Sequence, residues 1–341
     1  LNLSAKEMLV RLSAAYGPPG REKEVRDLIR EMVTEYVDEV YEDNSGNLVA
    51  VKKGNSKGKV MFSTHMDEVC MLVSRVMDTG FLKLEGVGMD PKLLPSQKVK
   101  IHTRSGEILR GVIGMLAPHL QTAETRSKIS TFDELFVDVS MSDISKINVG
   151  DFVTFDTQAV EIGDYLYGKT LDDRASCVSS IVALKKLSKI KHEYDVYAVF
   201  SSREEIGAFG AKTAAHAIDP CYAIAVDVTH GNENVDNYSK VEVAKGPVVT
   251  FGPVIPREIS KKLCDLADRA GIKIQKDAAP GRTGTDADQI QIEGIAVGLI
   301  SIPQRYMHNP YEMISIKDVE ETGRLMAEFV SSLDFEEKEE N

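Results

Sequence analysis

Tyr194–Phe200 is an apolar-rich run of strand length that leads straight into Ser201-Ser202-Arg203-Glu204-Glu205-Ile206-Gly207, with a helix expected through Ala211–His216. A strand ending in carboxylates before a helix points to an α/β layout, because open α/β sheets gather ligands at the carboxyl ends of their strands. An isolated acidic doublet is more often a solvated helix entry. Here the pattern recurs. Lys59–Thr64 runs into His65-Met66-Asp67-Glu68, and Tyr222–Val226 runs into Asp227-Val228-Thr229-His230. Ile295–Ile302, the most apolar strand candidate, leads through Pro303–Met307 to His308-Asn309-Pro310. On an extended chain His65 and Asp67 point to the same side, so one can bind a metal while the other orients it.

At 341 residues the chain can bury one large core plus a smaller domain, and 43% hydrophobic with 28% charged residues describes an ordinary soluble globular protein. A formal net charge of -12 argues against nonspecific nucleic-acid binding and against an anionic membrane surface. No apolar stretch approaches the length of a membrane span, and Leu1–Glu7 lacks a basic region followed by a signal core, so the expected location is the cytoplasm. Cys70, Cys177, Cys221 and Cys264 are widely spaced and form no paired-cysteine motif. They are read as reduced, and any metal site must use oxygen and imidazole ligands.

Val25, Leu28, Ile29, Met32, Val33 and Tyr36 recur at helical spacing and predict an amphipathic helix from Arg21 to Glu35, after the turn Gly17-Pro18-Pro19-Gly20. Asn47–Lys53 and Lys59–Thr64 are expected to pair as a hairpin around Gly54-Asn55-Ser56-Lys57-Gly58. That tip matches Gly-x-Ser-x-Gly but lacks the strand-to-helix elbow a serine hydrolase needs. From Cys70 to Gly163 the character changes: short runs such as Phe81–Leu84, Lys98–Ile101, Ile108–Ile113 and Phe152–Phe155 alternate with turns, and the basic loop Thr122–Ser130 is expected to be exposed. This predicts a small β-rich domain, residues 70–163, inserted in an α/β host of residues 1–69 and 164–341.

The α/β rhythm resumes at Gly168-Lys169-Thr170-Leu171-Asp172-Asp173-Arg174, followed by a helix from Ala175 to Leu187. Asp172 or Asp173 can cap that helix or bridge metals. Further helices are expected at Pro256–Ala270 and Lys317–Leu333, a strand at Ile272–Gln275, and a frayed acidic tail at Glu336–Asn341.

His65, Asp172, Glu205, Asp227 and His308 each lie at or just past the end of an element. Paired divalent metals about 3.5–4 Å apart need two nitrogen or oxygen ligands each plus a spanning carboxylate, and these five residues supply that set. Glu204 remains beside them as a general base. The chain resembles the tetrahedral aminopeptidase family of co-catalytic metallopeptidases, some of whose members were once described as endoglucanases. The resemblance runs through Tyr16-Gly17-Pro18, His65-x-Asp67-Glu68, Leu171-Asp172-Asp173-Arg174, Glu204-Glu205-Ile206-Gly207, Asp227-Val228-Thr229, Gly284-Thr285-Asp286 and Met307-His308-Asn309-Pro310.

The resemblance implies that His65 and Asp227 hold one metal, Glu205 and His308 the other, and Asp172 both, with zinc or cobalt as the usual ions. It implies that Asp67 orients His65, that Glu204 activates water and protonates the departing amine, and that a free α-amine restricts cleavage to the N-terminal residue of short peptides. It also implies a mixed-sheet catalytic domain interrupted by a β-barrel-like insert, through which many members assemble into dimers and hollow tetrahedral dodecamers. Asn309 and Ala208-Phe209-Gly210 depart from the family pattern and leave the preferred side chain open. Paired carboxylates also serve glycoside hydrolysis, but the chain has no tryptophan and 6% aromatics, few platforms for sugar binding. Deacylation or dipeptide hydrolysis at the same site, and a non-catalytic peptide-binding scaffold, are the other readings.

Overall fold

Ser4 and Glu7 form a capping box that starts helix α1 (Ala5–Ala14) in the computed structural model, which describes residues 3–123, 131–139, 143–232 and 240–333. The expectations for 124–130 and for the tail at 336–341 lie outside the described residues. The chain divides into two compact units, residues 1–68, 159–307 and 312–341 in the first and residues 69–158 and 308–311 in the second.

In the first unit, helix α2 (Lys23–Val33) buries Val25, Ile29, Met32 and Val33 at the spacing of one helical face. Strands β1 (Glu39–Glu42), β2 (Leu48–Lys52) and β3 (Lys59–His65) follow. The expected hairpin does not form. Another strand, Asp195–Ser201, lies between β2 and β3, antiparallel to the first and parallel to the second. The segment after β2 is used to cross that strand's start: the N–H groups of Asn55 and Lys57 both donate to the Glu193 carbonyl, and Gly54 N–H donates to Asp195 at 2.7 Å.

The second unit is a closed barrel of β4 (Cys70–Val76), β5 (Phe81–Val87), β6 (Lys98–His102), β7 (Ile108–Gly114), β8 (Phe136–Asp138) and β9 (Phe152–Phe155), in the order β4-β5-β8-β7-β6-β9. Every pairing is antiparallel, and closure leaves no sheet edge. Met71, Val73, Leu82, Leu84, Val99, Ile101 and Val153 fill the interior. Phe81 and Phe136 stack edge to face with ring centroids 5.0 Å apart. Phe132 lies so close over Gly86 that a Cβ there would come within 2.2 Å of its ring. These phenylalanines serve packing within the barrel.

The chain re-enters the first unit through β10 (Val160–Ile162) and β11 (Tyr165–Gly168), then α3 (Leu171–Leu187), β12 (Asp195–Ser201), α4 (Phe209–Ile218) and β13 (Tyr222–His230). Next come β14 (Val248–Phe251), α5 (Arg257–Ala270), β15 (Gln275–Ala278), α6 (Ala287–Ile290), β16 (Ala296–Arg305), β17 (Glu312–Ser315) and α7 (Ile316–Ser332). The strand expected at Ile272–Gln275 begins only at Gln275, because Gly271 adopts φ +66° and the Ile272 N–H still closes the helix end on the Ala267 carbonyl.

Eleven strands form one mixed sheet with the path β1-β2-β12-β3-β13-β16-β17-β11-β10, with β14 and β15 attached through β16. Helices cover both faces. Val60, Phe62, Val196, Ala198, Phe200, Ile224 and Ile300 pack on the side of α3 and α7, while Met61, Val199, Ala223, Ala225 and Leu299 pack on the side of α4 and α6. Helix α3 is buried almost all round and carries small residues. A Cβ on Gly323 of α7 would come within 2.5 Å of the Ser179 carbonyl, so the two helices approach backbone to backbone.

Candidate metal centre

Along the three adjacent parallel strands β12, β3 and β13, alternate residues face the α4 and α6 side. That face changes character toward the carboxyl ends. Met61 gives way to Ser63 and His65, Val199 to Ser201, and Ala223 and Ala225 to Asp227. Apolar positions anchor each strand, and its last turn of the pleat carries the chemistry, at the edge where α/β sheets bind ligands.

His65, Asp172 and Asp227 form one group whose ligand-capable atoms all lie within 4.8 Å of one another, and Asp172, Glu205 and His308 form a second. The structure therefore brings together all five side chains singled out in the sequence, with Asp172 in both groups. His65 Nε2 is 3.1 Å from Asp172 Oδ1, and its Nδ1 is 3.4 Å from Asp67 Oδ1. Asp67 is fully buried and accepts the backbone N–H of Glu204 at 2.9 Å and that of Glu205 at 3.1 Å. Glu204 belongs to neither group, and its Oε2 lies 4.0 Å from His65 Nε2.

The backbone carrying these groups is irregular. Thr170, Arg203, Tyr306 and His308 have φ of 57°, 63°, 61° and 61°, each in the left-handed region. L-residues adopt it at a cost of roughly 1–2 kcal/mol each, and such outliers gather where surrounding structure enforces a functional geometry. Helix α3 opens with non-helical angles at Asp172 and Asp173, and no side-chain hydrogen bond from Thr170 caps it. Asp173 Oδ2 instead accepts the His65 N–H at 3.2 Å.

Burial dominates the electrostatics. It pushes the Glu204 carboxyl up to about 10, against the pull of His65 and with the help of Asp227, Asp286 and Glu205. Burial likewise raises Asp227 and Asp173 well above the usual carboxylate range. His65 is also raised well above the ordinary imidazole value: burial works against its charge, but the bonds to Asp172 and Asp67 and the fields of Asp173 and Glu204 outweigh it. Carboxyls whose charge burial penalises this strongly favour a bound cation, and the buried Asp173 Oδ1 has no hydrogen-bond partner among the described residues. Its imidazole nitrogens and carboxylate oxygens suit zinc or cobalt. The residues fit divalent cations.

Several residues that contribute had no role assigned from sequence. Glu68 Oε2 accepts from Lys169 Nζ at 2.6 Å and its Oε1 from the Gly17 N–H at 2.8 Å, all within the interior. Arg174, fully buried, donates to the Leu12 carbonyl at 2.8 Å. Glu312 Oε2 accepts the Asp172 N–H at 3.1 Å, and Asp286 binds two serine hydroxyls. For Glu68, Arg174 and Asp286 the only sequence signal was a charge within the quoted motifs, and Glu312 lies outside them.

The family described as M42 glutamyl aminopeptidase matches residues 46–325. The chain is 34% identical over 339 residues to a lysyl aminopeptidase of Pyrococcus furiosus, covering 96% of this chain and 97% of that one. Among solved structures, the TET aminopeptidase of Thaumarchaeota archaeon SCGC AB-539-E09 superposes with a TM-score of 0.91 at 28% identity, covering 98% of both chains. The Pyrococcus horikoshii TET1 peptidase, which can assemble into a tetrahedron or a large octahedral shell, does so with a TM-score of 0.85 at 29% identity over 96% of this chain and 99% of that one. With the family matched over most of its length, the chain belongs to the M42 aminopeptidases.

Proposed function

We propose that this protein removes N-terminal residues from short peptides, with two divalent cations, zinc or cobalt, held by His65, Asp172 and Asp227 and by Asp172, Glu205 and His308. The observation that carries this reading is the sharing of Asp172 between two ligand groups while Glu204 stands outside both. When bound, such cations supply Lewis acidity to the scissile carbonyl and acidify water. Asp67 holds the His65 ring from the Nδ1 side and fixes the Glu204-Glu205 backbone through its two accepted N–H bonds. Cation charge beside it would favour the ionised form of Glu204, which then takes a proton from the attacking water and returns it to the departing amine. As the C–N bond breaks, that proton completes the new amino terminus and the hydroxyl stays on the carboxyl product.

Self-association follows the same reading. Ile108 and Val112 stand on one face of β7 at 50% and 46% exposure, with Leu116 and Leu120 exposed nearby in sequence, an apolar surface suited to burial between copies of the chain.

A panel of aminoacyl p-nitroanilides, each paired with its N-acetylated form, tests the function after metal stripping and readdition. Turnover of the free-amine members alone, restored by zinc or cobalt, is the expected result, with a particle several chains in mass. Turnover of the acetylated forms, or activity that survives stripping, contradicts it.

A further inference from the structure

Asp286 is 3% exposed, and its Oδ2 accepts hydrogen bonds from Ser63 Oγ and Ser201 Oγ, both at 2.7 Å. The two serines stand on the neighbouring parallel strands β3 and β12, whose register sets Ser63 against Val199 and His65 against Ser201. One carboxylate therefore ties two strands together just before each delivers its functional residues, His65 and Asp67 from one and Glu204 and Glu205 from the other. A second tie lies beyond the strand ends, where Asp67 accepts the N–H groups of Glu204 and Glu205. Between these two ties the relative position of the two segments is fixed.

Asp286 belongs to neither ligand group. Its Oδ1 is buried with no hydrogen-bond partner among the described residues, and burial raises its pKa. An unpaired buried carboxylate oxygen is a poor choice for a residue whose task is packing alone. Ser63 and Ser201 are fully buried as well, so each hydroxyl needs the bond that Asp286 provides.

We propose that Asp286 is a positioning residue for the hydrolytic step, setting the spacing between the His65-Asp67 and Glu204-Glu205 segments by clamping the strand ends through Ser63 and Ser201. The inference rests on the aminopeptidase reading above. Standing outside both ligand groups, Asp286 acts on where Glu204 stands relative to the water it deprotonates. Misplacing a reacting group by about 1 Å costs on the order of 100-fold in rate, without a matching loss of substrate affinity.

The test compares Asp286→Ala, Asp286→Asn and the double variant Ser63→Ala/Ser201→Ala with the parent enzyme, measuring kcat, KM and bound metal per chain. Asp286→Ala is expected to lose roughly 10- to 100-fold in kcat while KM stays within about twofold and metal content is unchanged. Asp286→Asn keeps a carbonyl oxygen that can accept both hydroxyls and is expected to recover most of the rate. The serine double variant is expected to lose kcat as Asp286→Ala does, and adding Asp286→Ala to it should cost little more. If Asp286→Ala fails to fold, the serine variants decide. Parental kcat in the serine double variant, a loss that tracks metal content, or an Asn variant as slow as Ala would overturn the proposal. A parent enzyme inactive on every free-amine substrate would instead sink the aminopeptidase reading itself.

Discussion

The Asp67 carboxylate accepts the backbone N–H of Glu204 at 2.9 Å, and this bond ties the end of β3 to the end of β12 at the point where the chemistry is concentrated. The same carboxylate faces His65 Nδ1 at 3.4 Å. Replacing Asp67 with Ala therefore loosens a ligand and the general base together. The expected loss is about 10- to 100-fold in kcat/KM, with weaker metal retention, measured by steady-state kinetics and metal analysis on one preparation.

Glu204 stands outside both ligand groups. Glu204→Gln should leave bound metal near the parental level and lower kcat by about 100- to 10,000-fold, because an amide cannot carry the proton. Metal analysis beside turnover separates this outcome from loss of the site.

Asp172 belongs to both groups, so its loss acts on two positions at once. Asp172→Ala is expected to retain at most one cation per chain after dialysis. Asp227→Ala, which removes a member of one group only, should retain one. Inductively coupled plasma mass spectrometry checks both.

Much of the fold was legible because apolar runs of strand length and their flanking turns are local signals. The block of short strands between Phe81 and Phe155 stood out for its lack of helical spacing, and it forms the barrel. The order of strands was less legible: β2 and β3 looked like a hairpin, and only long-range pairing of Asp195–Ser201 places another strand between them. The local pattern could place an acid at an element's end but not rank Asp172 against Asp173, and the choice of Asp172 leaned on the family resemblance. That distinction comes from the non-helical start of α3, which sends one carboxylate among the ligands and the other to the His65 N–H. Glu68 and Asp286 were unreadable for a related reason, since their partners lie 101 residues away at Lys169 and 223 residues away at Ser63.

Lys169 and Glu68 are 3% and 1% exposed and meet at 2.6 Å. Glu68→Ala removes the carboxylate that pairs with this buried ammonium group, a change worth about 3–5 kcal/mol. Urea unfolding should show an unfolding free energy lower by that order, while Glu68→Ala/Lys169→Met should recover part of the loss.

Stability of the metal-stripped chain should depend on pH in a direction fixed by the raised carboxyls. Burial holds the Glu204 carboxyl protonated up to about 10 in the folded chain, against an ordinary value of 4.5. Between those values the folded state binds the extra proton, so stability falls as pH rises, by about 1.4 kcal/mol per pH unit for each such proton. Asp227 and Asp173 act in the same direction. Thermal melts of the stripped protein from pH 5 to pH 9 should show Tm falling with pH, and added zinc should flatten the slope, because a cation replaces the protons.

The most direct measurement titrates the stripped chain with zinc or cobalt and follows bound metal and free-amine peptide turnover together. Two cations per chain at full rate, with the rate absent from a fully loaded Glu204→Gln variant, is the predicted result. Full turnover in the stripped chain, or in that variant, would contradict it.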